Sequence, residues 1–131
     1  MKVALGLGCD RGTPAATIAQ AIDEALMACG AQLADVAASA SIDLKADEAG
    51  LLQLAQERGW QIHFYAASEL AAVEVPNPSE TVRRYTGTPS VSEAAALLAG
   101  GVDRSQLIIE KHKLRGPDGR NATVSIARIS Q

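Results

Sequence analysis

The sequence predicts an α/β fold in three layers, with a mixed, mainly parallel sheet that finishes in a C-terminal antiparallel hairpin. Two observations lead there. Strand-loop-helix units follow one another across residues 2–66, and such units call for parallel strands joined by right-handed crossovers. From Ser105 onward, two β-rich runs flank the turn "RGPDGR", which is the pattern of a hairpin. A chain of 131 residues with 47% hydrophobic and 21% charged side chains fits one domain, 1–131.

The elements follow in order. "KVALGLG" is a short β run. Residues 14–29 then place Ile18, Ile22, Ala25, Leu26 and Cys29 on one helical face, with Gly30 closing the helix. "DVAASA", residues 35–40, is a second strand, followed by the loop "SIDLKADE" and a helix in which Leu51, Leu52 and Ala55 share a face before Gly59 ends it. "QIHFYA", residues 61–66, is a third strand, and "SELAAV" a short helical turn. Past the loop "EVPNPSE", helices are expected over 78–85 and 89–99, then the strands "SQLIIEKHKL" and "NATVSIARI".

Three helix starts share one recipe, a capping residue followed by proline: Thr13-Pro14, Asn77-Pro78 and Thr88-Pro89. The side-chain oxygen would accept a first-turn N–H, and proline would sit where a donor goes unused, a cap of about 1 kcal/mol. Asn77 and Glu80 have the spacing of a capping box, and Asp47 suits a cap for the second helix. Helix starts at the carboxyl edge of a parallel sheet also offer free amides and partial positive charge to an anionic ligand.

Composition excludes several classes. Aromatic content of 3% gives no stacking platform for single-stranded nucleic acid, and a net charge of −3 opposes a general nucleic-acid binder. The charge is uneven: residues 1–110 carry 7 basic against 14 acidic side chains, and residues 111–131 carry 5 against 1. No apolar run reaches membrane-spanning length and the first residues lack a signal-peptide design, so a cytoplasmic protein without membrane contact is expected. Cys9 and Cys29 are too few and too far apart for a zinc site or a Cys-x-x-Cys pair; no metal and no cofactor is expected. Gly6, Gly8 and Gly12 do not match the dinucleotide fingerprint, and no Gly-Lys-Ser/Thr closes a P-loop.

What remains as chemistry lies on loops, where binding groups concentrate. In the glycine loop, Gly8, Cys9, Gly12 and Thr13 let backbone approach a ligand, and Arg11 offers a forked donor to carboxylate or phosphate. In the second loop, Lys45 would join Arg11 in holding acidic groups, while Asp43 pairs with Lys45 or acts as a base. His63 reads as a half-buried strand residue, and His112, between Lys111 and Lys113, as part of a solvated strand end.

"GLGCDRGT", "SIDLKADEAGLL", "VPNPSETV" and "TGTPSVSEAAALLAGG", in this order, resemble the CobE/CbiG C-terminal domain family of cobalamin (vitamin B12) biosynthesis, and most closely its stand-alone members. The resemblance runs from Val3 to Ile129. It implies a protein of the corrin-ring pathway, with site residues Gly8, Cys9, Arg11, Gly12, Thr13, Asp43, Lys45, Asn77, Ser79, Glu80, Gly87, Thr88 and Ser90. The implied ligand is a precorrin or corrin intermediate, a broad apolar ring with acetate and propionate arms, carried alone or handed to other enzymes of the pathway. A second implication is lactone hydrolysis on a cobalt-precorrin with release of acetaldehyde, Asp43 or Glu80 activating water. A phosphate- or nucleotide-binding domain is a third reading.

Overall fold

The computed structural model describes residues 1–129, so the last two positions of the expected domain lie outside the described residues. Its elements are β1 (Lys2–Cys9), α1 (Ala15–Ala28), β2 (Val36–Ile42), α2 (Ala49–Arg58), β3 (His63–Tyr65), α3 (Ala67–Ala71), α4 (Glu80–Thr86), α5 (Val91–Gly100), β4 (Leu107–Arg115) and β5 (Asn121–Ile129). The five strands form one sheet in the order β3-β2-β1-β5-β4. β1, β2 and β3 pair in parallel, while β5 lies antiparallel between β1 and β4. Four of the five strands therefore point one way and only β5 runs against them, which is the mixed, mainly parallel sheet with a terminal hairpin that the sequence predicts.

Alternation along β1 sorts its side chains between two helical layers. Val3, Leu5 and Leu7 face α1 and α2, where they meet Ile18, Ala21, Ile22, Leu51 and Leu54, with Val124 and Ile126 of β5 completing that core. The opposite face is covered by α5, a helix whose inner residues Ala94, Ala95 and Ala96 are wholly buried. Small side chains let this helix lie close to the sheet, and at Gly6 the approach is closest: a Cβ there would stand 1.7 Å from the Ser92 carbonyl oxygen. Gly6 thus fixes where α5 begins, which matters for the site below.

A second close approach joins the two early loops. A Cβ on Gly50 would stand 2.1 Å from the Thr13 carbonyl oxygen, so the start of α2 is pressed against the loop after β1. Buried hydroxyls find partners across the sheet: Ser41 donates to the Leu7 carbonyl at 2.7 Å, and Ser125 bonds Ser92 at 2.8 Å.

The helix starts differ from the expected recipe. Thr13 is buried and its hydroxyl donates backwards to the Asp10 carbonyl at 2.8 Å, leaving Pro14 itself as the N-cap of α1 with no side-chain cap bond. Asn77 turns away to Glu93, so Ser79 caps α4, accepting from the Val82 N–H at 3.2 Å. Thr88 is buried, and Ser90 stands at the N-cap of α5. Asp47 does not cap α2 either: Glu48 occupies that position and Asp47 binds Arg11. Asn77 and Asp47 are drawn off by tertiary partners, Thr13 by the Asp10 and Asn121 carbonyls, and Thr88 by burial alone. α4 and α5 accordingly begin two residues later than the prolines indicate. β3 is shorter than expected because it pairs only with Ala40 to Ile42, and Ile62 tucks into the α1/α2 core.

Candidate functional site

A cleft of about 460 Å³ opens where β1 and β2 end. Its floor comes from Gly8 and Cys9 at the end of β1, Ile42 at the end of β2, and Thr123 of β5. α5 contributes its first residues, Ser90 to Ser92, and α4 overhangs the opening with Val82 and Tyr85. α4 buries none of its own residues, and Tyr85 lies 79% exposed beside the cleft. Lys111 and Lys113 project from β4 on the same side, two residues apart, while His112 between them points to α1 and meets Glu24 at 2.7 Å. Strand alternation explains that division.

Of the residues singled out from the sequence, Gly8, Cys9, Arg11, Lys45, Ser79 and Ser90 line this cleft. Gly12, Thr13, Asp43, Asn77, Glu80, Gly87 and Thr88 lie outside its lining. Gly12 donates its N–H to Glu48 at 3.1 Å, and Asn77 bridges Glu93 at 2.6 Å and Glu110 at 2.9 Å. Glu80 faces Arg83 on its own helix at 3.5 Å. Neither carboxylate named as a possible base, Asp43 or Glu80, reaches the cleft. Asp10, Tyr85, Ser92, Lys111, Lys113 and Thr123 were missed by the sequence reading; the basic excess after residue 110 was the signal for the two lysines.

Electrostatics divide the cleft. On the glycine-loop side the cations already have anions. Arg11 lies 3.1 Å from Asp47 and 3.3 Å from Glu48, and Lys45 is 3.6 Å from the same Glu48 oxygen. The expected Asp43–Lys45 pair does not form, because the buried Glu48 is the stronger claimant on Lys45. That oxygen makes no aligned hydrogen bond, so the two cations balance it by charge, while its other oxygen accepts the Gly12 N–H. Arg11 holds the Asp47 carboxyl below its ordinary range, chiefly by hydrogen bonding. Asp10, also on this side, accepts from the Asn121 N–H at 2.7 Å and its side-chain amide at 3.0 Å. On the β4 side, Lys111 donates to the neutral Asn77 carbonyl at 2.9 Å. Neither Lys111 nor Lys113 has an ion-pair partner among the described residues.

Burial pushes the Cys9 thiol up to about 11, against the smaller opposing pull of Lys45. At neutral pH it is a thiol, and a thiol is a poor nucleophile. Among the described residues no group of three His, Cys, Asp or Glu side chains has a metal-binding arrangement, and no helix is long and apolar enough to cross a membrane.

The family model described as "Cobalamin synthesis G C-terminus" matches residues 3–127. The chain belongs to the CobE/CbiG C-terminal family. It is 39% identical over 109 residues to a protein named CobE from Sinorhizobium sp, an alignment covering 82% of this chain and 70% of the relative. It is also 39% identical over 127 residues to a cobalt-precorrin-5A hydrolase of Priestia megaterium, covering 97% of this chain but 32% of the hydrolase. This chain thus spans about a third of that relative's length. Among solved structures, the crystal structure of CobE from the cobalamin biosynthetic pathway superposes with a TM-score of 0.84 at 36% identity, covering 99% of this chain and 95% of that one. Family membership makes this a cobalamin-biosynthesis protein. Within the CobE/CbiG frame, the opening "GLGCDRGT" supplies the cleft floor and the Arg11 strut, and "TGTPSVSEAAALLAGG" supplies the helix that roofs the other face.

Proposed function

We propose that this CobE/CbiG family member binds a polycarboxylate tetrapyrrole, a precorrin or corrin intermediate, and serves the pathway as a carrier or accessory factor in the cytoplasm, delivering its ligand to other pathway enzymes. The carrying observation is the make-up of the cleft. Ile42, Val82, Val91 and Tyr85 give it apolar walls, and Lys111 and Lys113 stand at one rim without ion-pair partners among the described residues. A volume of about 460 Å³ falls in the range of roughly 300–1,000 Å³ usual for small-molecule sites. An apolar ring with acid arms needs both features together.

The hydrolase reading draws on the Priestia megaterium relative. Against it, the carboxylate lining the cleft, Asp10, is committed to Asn121, and Cys9 is held as the thiol. Neither is poised to attack a lactone or activate water.

The test is a titration of the purified protein with corrin and precorrin intermediates, followed by absorbance and size exclusion. Coloured ligand co-eluting with an unchanged ring spectrum supports the carrier. A spectral change accompanied by released acetaldehyde supports the hydrolase. Failure of every corrinoid to associate rejects both.

A further inference from the structure

The start of α5 carries three features that point at one ligand group. First, the amides of Val91, Ser92 and Glu93 have no acceptor among the described residues, the first intrahelical bond running from the Ala94 N–H to the Ser90 carbonyl. Second, Ser90 lines the cleft, is 99% buried, and its hydroxyl has no hydrogen-bond partner among the described residues. A buried hydroxyl is ordinarily paired, so one left over beside a cleft marks a place where an acceptor is missing. Third, Lys111 and Lys113, which line the same cleft, have no ion-pair partner among the described residues.

The neighbouring carboxylates do not fill that place. Glu93 turns its oxygens to Asn77, and Asp10 is held by Asn121 on the other side of the cleft. We infer that a carboxylate arm of the ligand docks between Ser90, the first amides of α5 and the Lys111/Lys113 pair, while Arg11 and Lys45 serve as internal struts and do not grip the ligand. A carboxylate there accepts from the hydroxyl and amides and meets the positive end of the helix and two ammonium groups, of which Lys111 is bonded to the neutral Asn77 carbonyl. The inference deepens the tetrapyrrole reading and rests on it for the identity of the molecule that bears the arm. The site's chemistry, a carboxylate cradle, stands on the residues alone.

The test separates the two. Amide resonances are followed by NMR during titration of the full chain with sodium malonate. Saturable shifts at Ser90, Val91 and Ser92 are expected, with affinity falling about tenfold or more in the double variant Lys111→Gln/Lys113→Gln and about threefold in Ser90→Ala. Saturable shifts centred on Gly8 to Thr13, or none anywhere, overturn the inference. The same proteins are then titrated with dicyanocobyrinic acid, a corrin heptacarboxylate, and with its heptamethyl ester. Loss of affinity on esterification and in the double variant, with little change in Lys113→Arg, is expected. Equal binding of the acid to wild type and double variant removes the cradle and leaves the tetrapyrrole reading standing. Malonate binding without corrin binding does the reverse.

Discussion

The two sides of the cleft hold the same number of cations and treat them differently. On the glycine-loop side, Arg11 and Lys45 are drawn onto Glu48, which is only 2% exposed, and Asp47 takes the outer face of Arg11. On the β4 side, Lys111 and Lys113 stand on a strand whose neighbouring acids look elsewhere: Glu110 to Asn77 and Glu24 to His112. The first arrangement ties two loops and the start of α2 together. The second leaves charge available. A basic side chain at a cleft is therefore a binding group only after its own protein has been counted among its partners, and by that count the ligand-facing cations are on the hairpin.

The contrast can be broken most severely through Gly6. Gly6→Ala drives a methyl into the Ser92 carbonyl and must displace the start of α5, at a cost of about 3 kcal/mol in urea unfolding, with the open side lost even where the fold survives. Lys45→Met removes one of the cations on a buried carboxylate and is expected to cost roughly 1–3 kcal/mol, read as a lowered unfolding midpoint. The informative counterpart is Glu48→Gln. It keeps an acceptor for the Gly12 N–H but releases Arg11 and Lys45 toward the cleft, so stability should fall by about 1 kcal/mol while affinity for a corrin polycarboxylate rises. A fall in both would mean that Arg11 and Lys45 already hold the ligand. The smallest effect concerns Cys9: its alkylation by iodoacetamide should stay slow through pH 9 and climb only near pH 11, because the thiolate forms only there. Rapid labelling at pH 7 would show a thiol far less buried than the floor of this cleft.

How much of this the sequence carried can be judged residue by residue. The strand-helix units at the start were legible because hydrophobic period alone separates "KVALGLG" from the helix through Ile18 and Ile22. Cys9, Arg11 and Lys45 could be brought to one edge because parallel strands put their following loops there. What local pattern could not carry were the long-range choices. Glu48 in "KADE" has the look of a surface acid, and its burial depends on Gly50 letting α2 press onto Thr13. Asn77 has the look of a cap until Glu93, sixteen positions later, is known to face it. Lys111 and Lys113 flank a histidine in a polar strand, and only the insertion of β5 between β1 and β4 brings their side of the hairpin over the cleft.

That insertion has a bearing on how the molecule comes into being. β1 is made well before β5, yet one of its two long edges stays open until residues 121–129 arrive to zip along it from Lys2 to Cys9. Pairing partners separated by nearly the whole chain close slowly, because the intervening loop must lose its freedom first. Between the making of β1 and of β5 an apolar ribbon stays unprotected, so early release or a message stalled in that interval would hand the cell an aggregation-prone fragment in place of a half-working one.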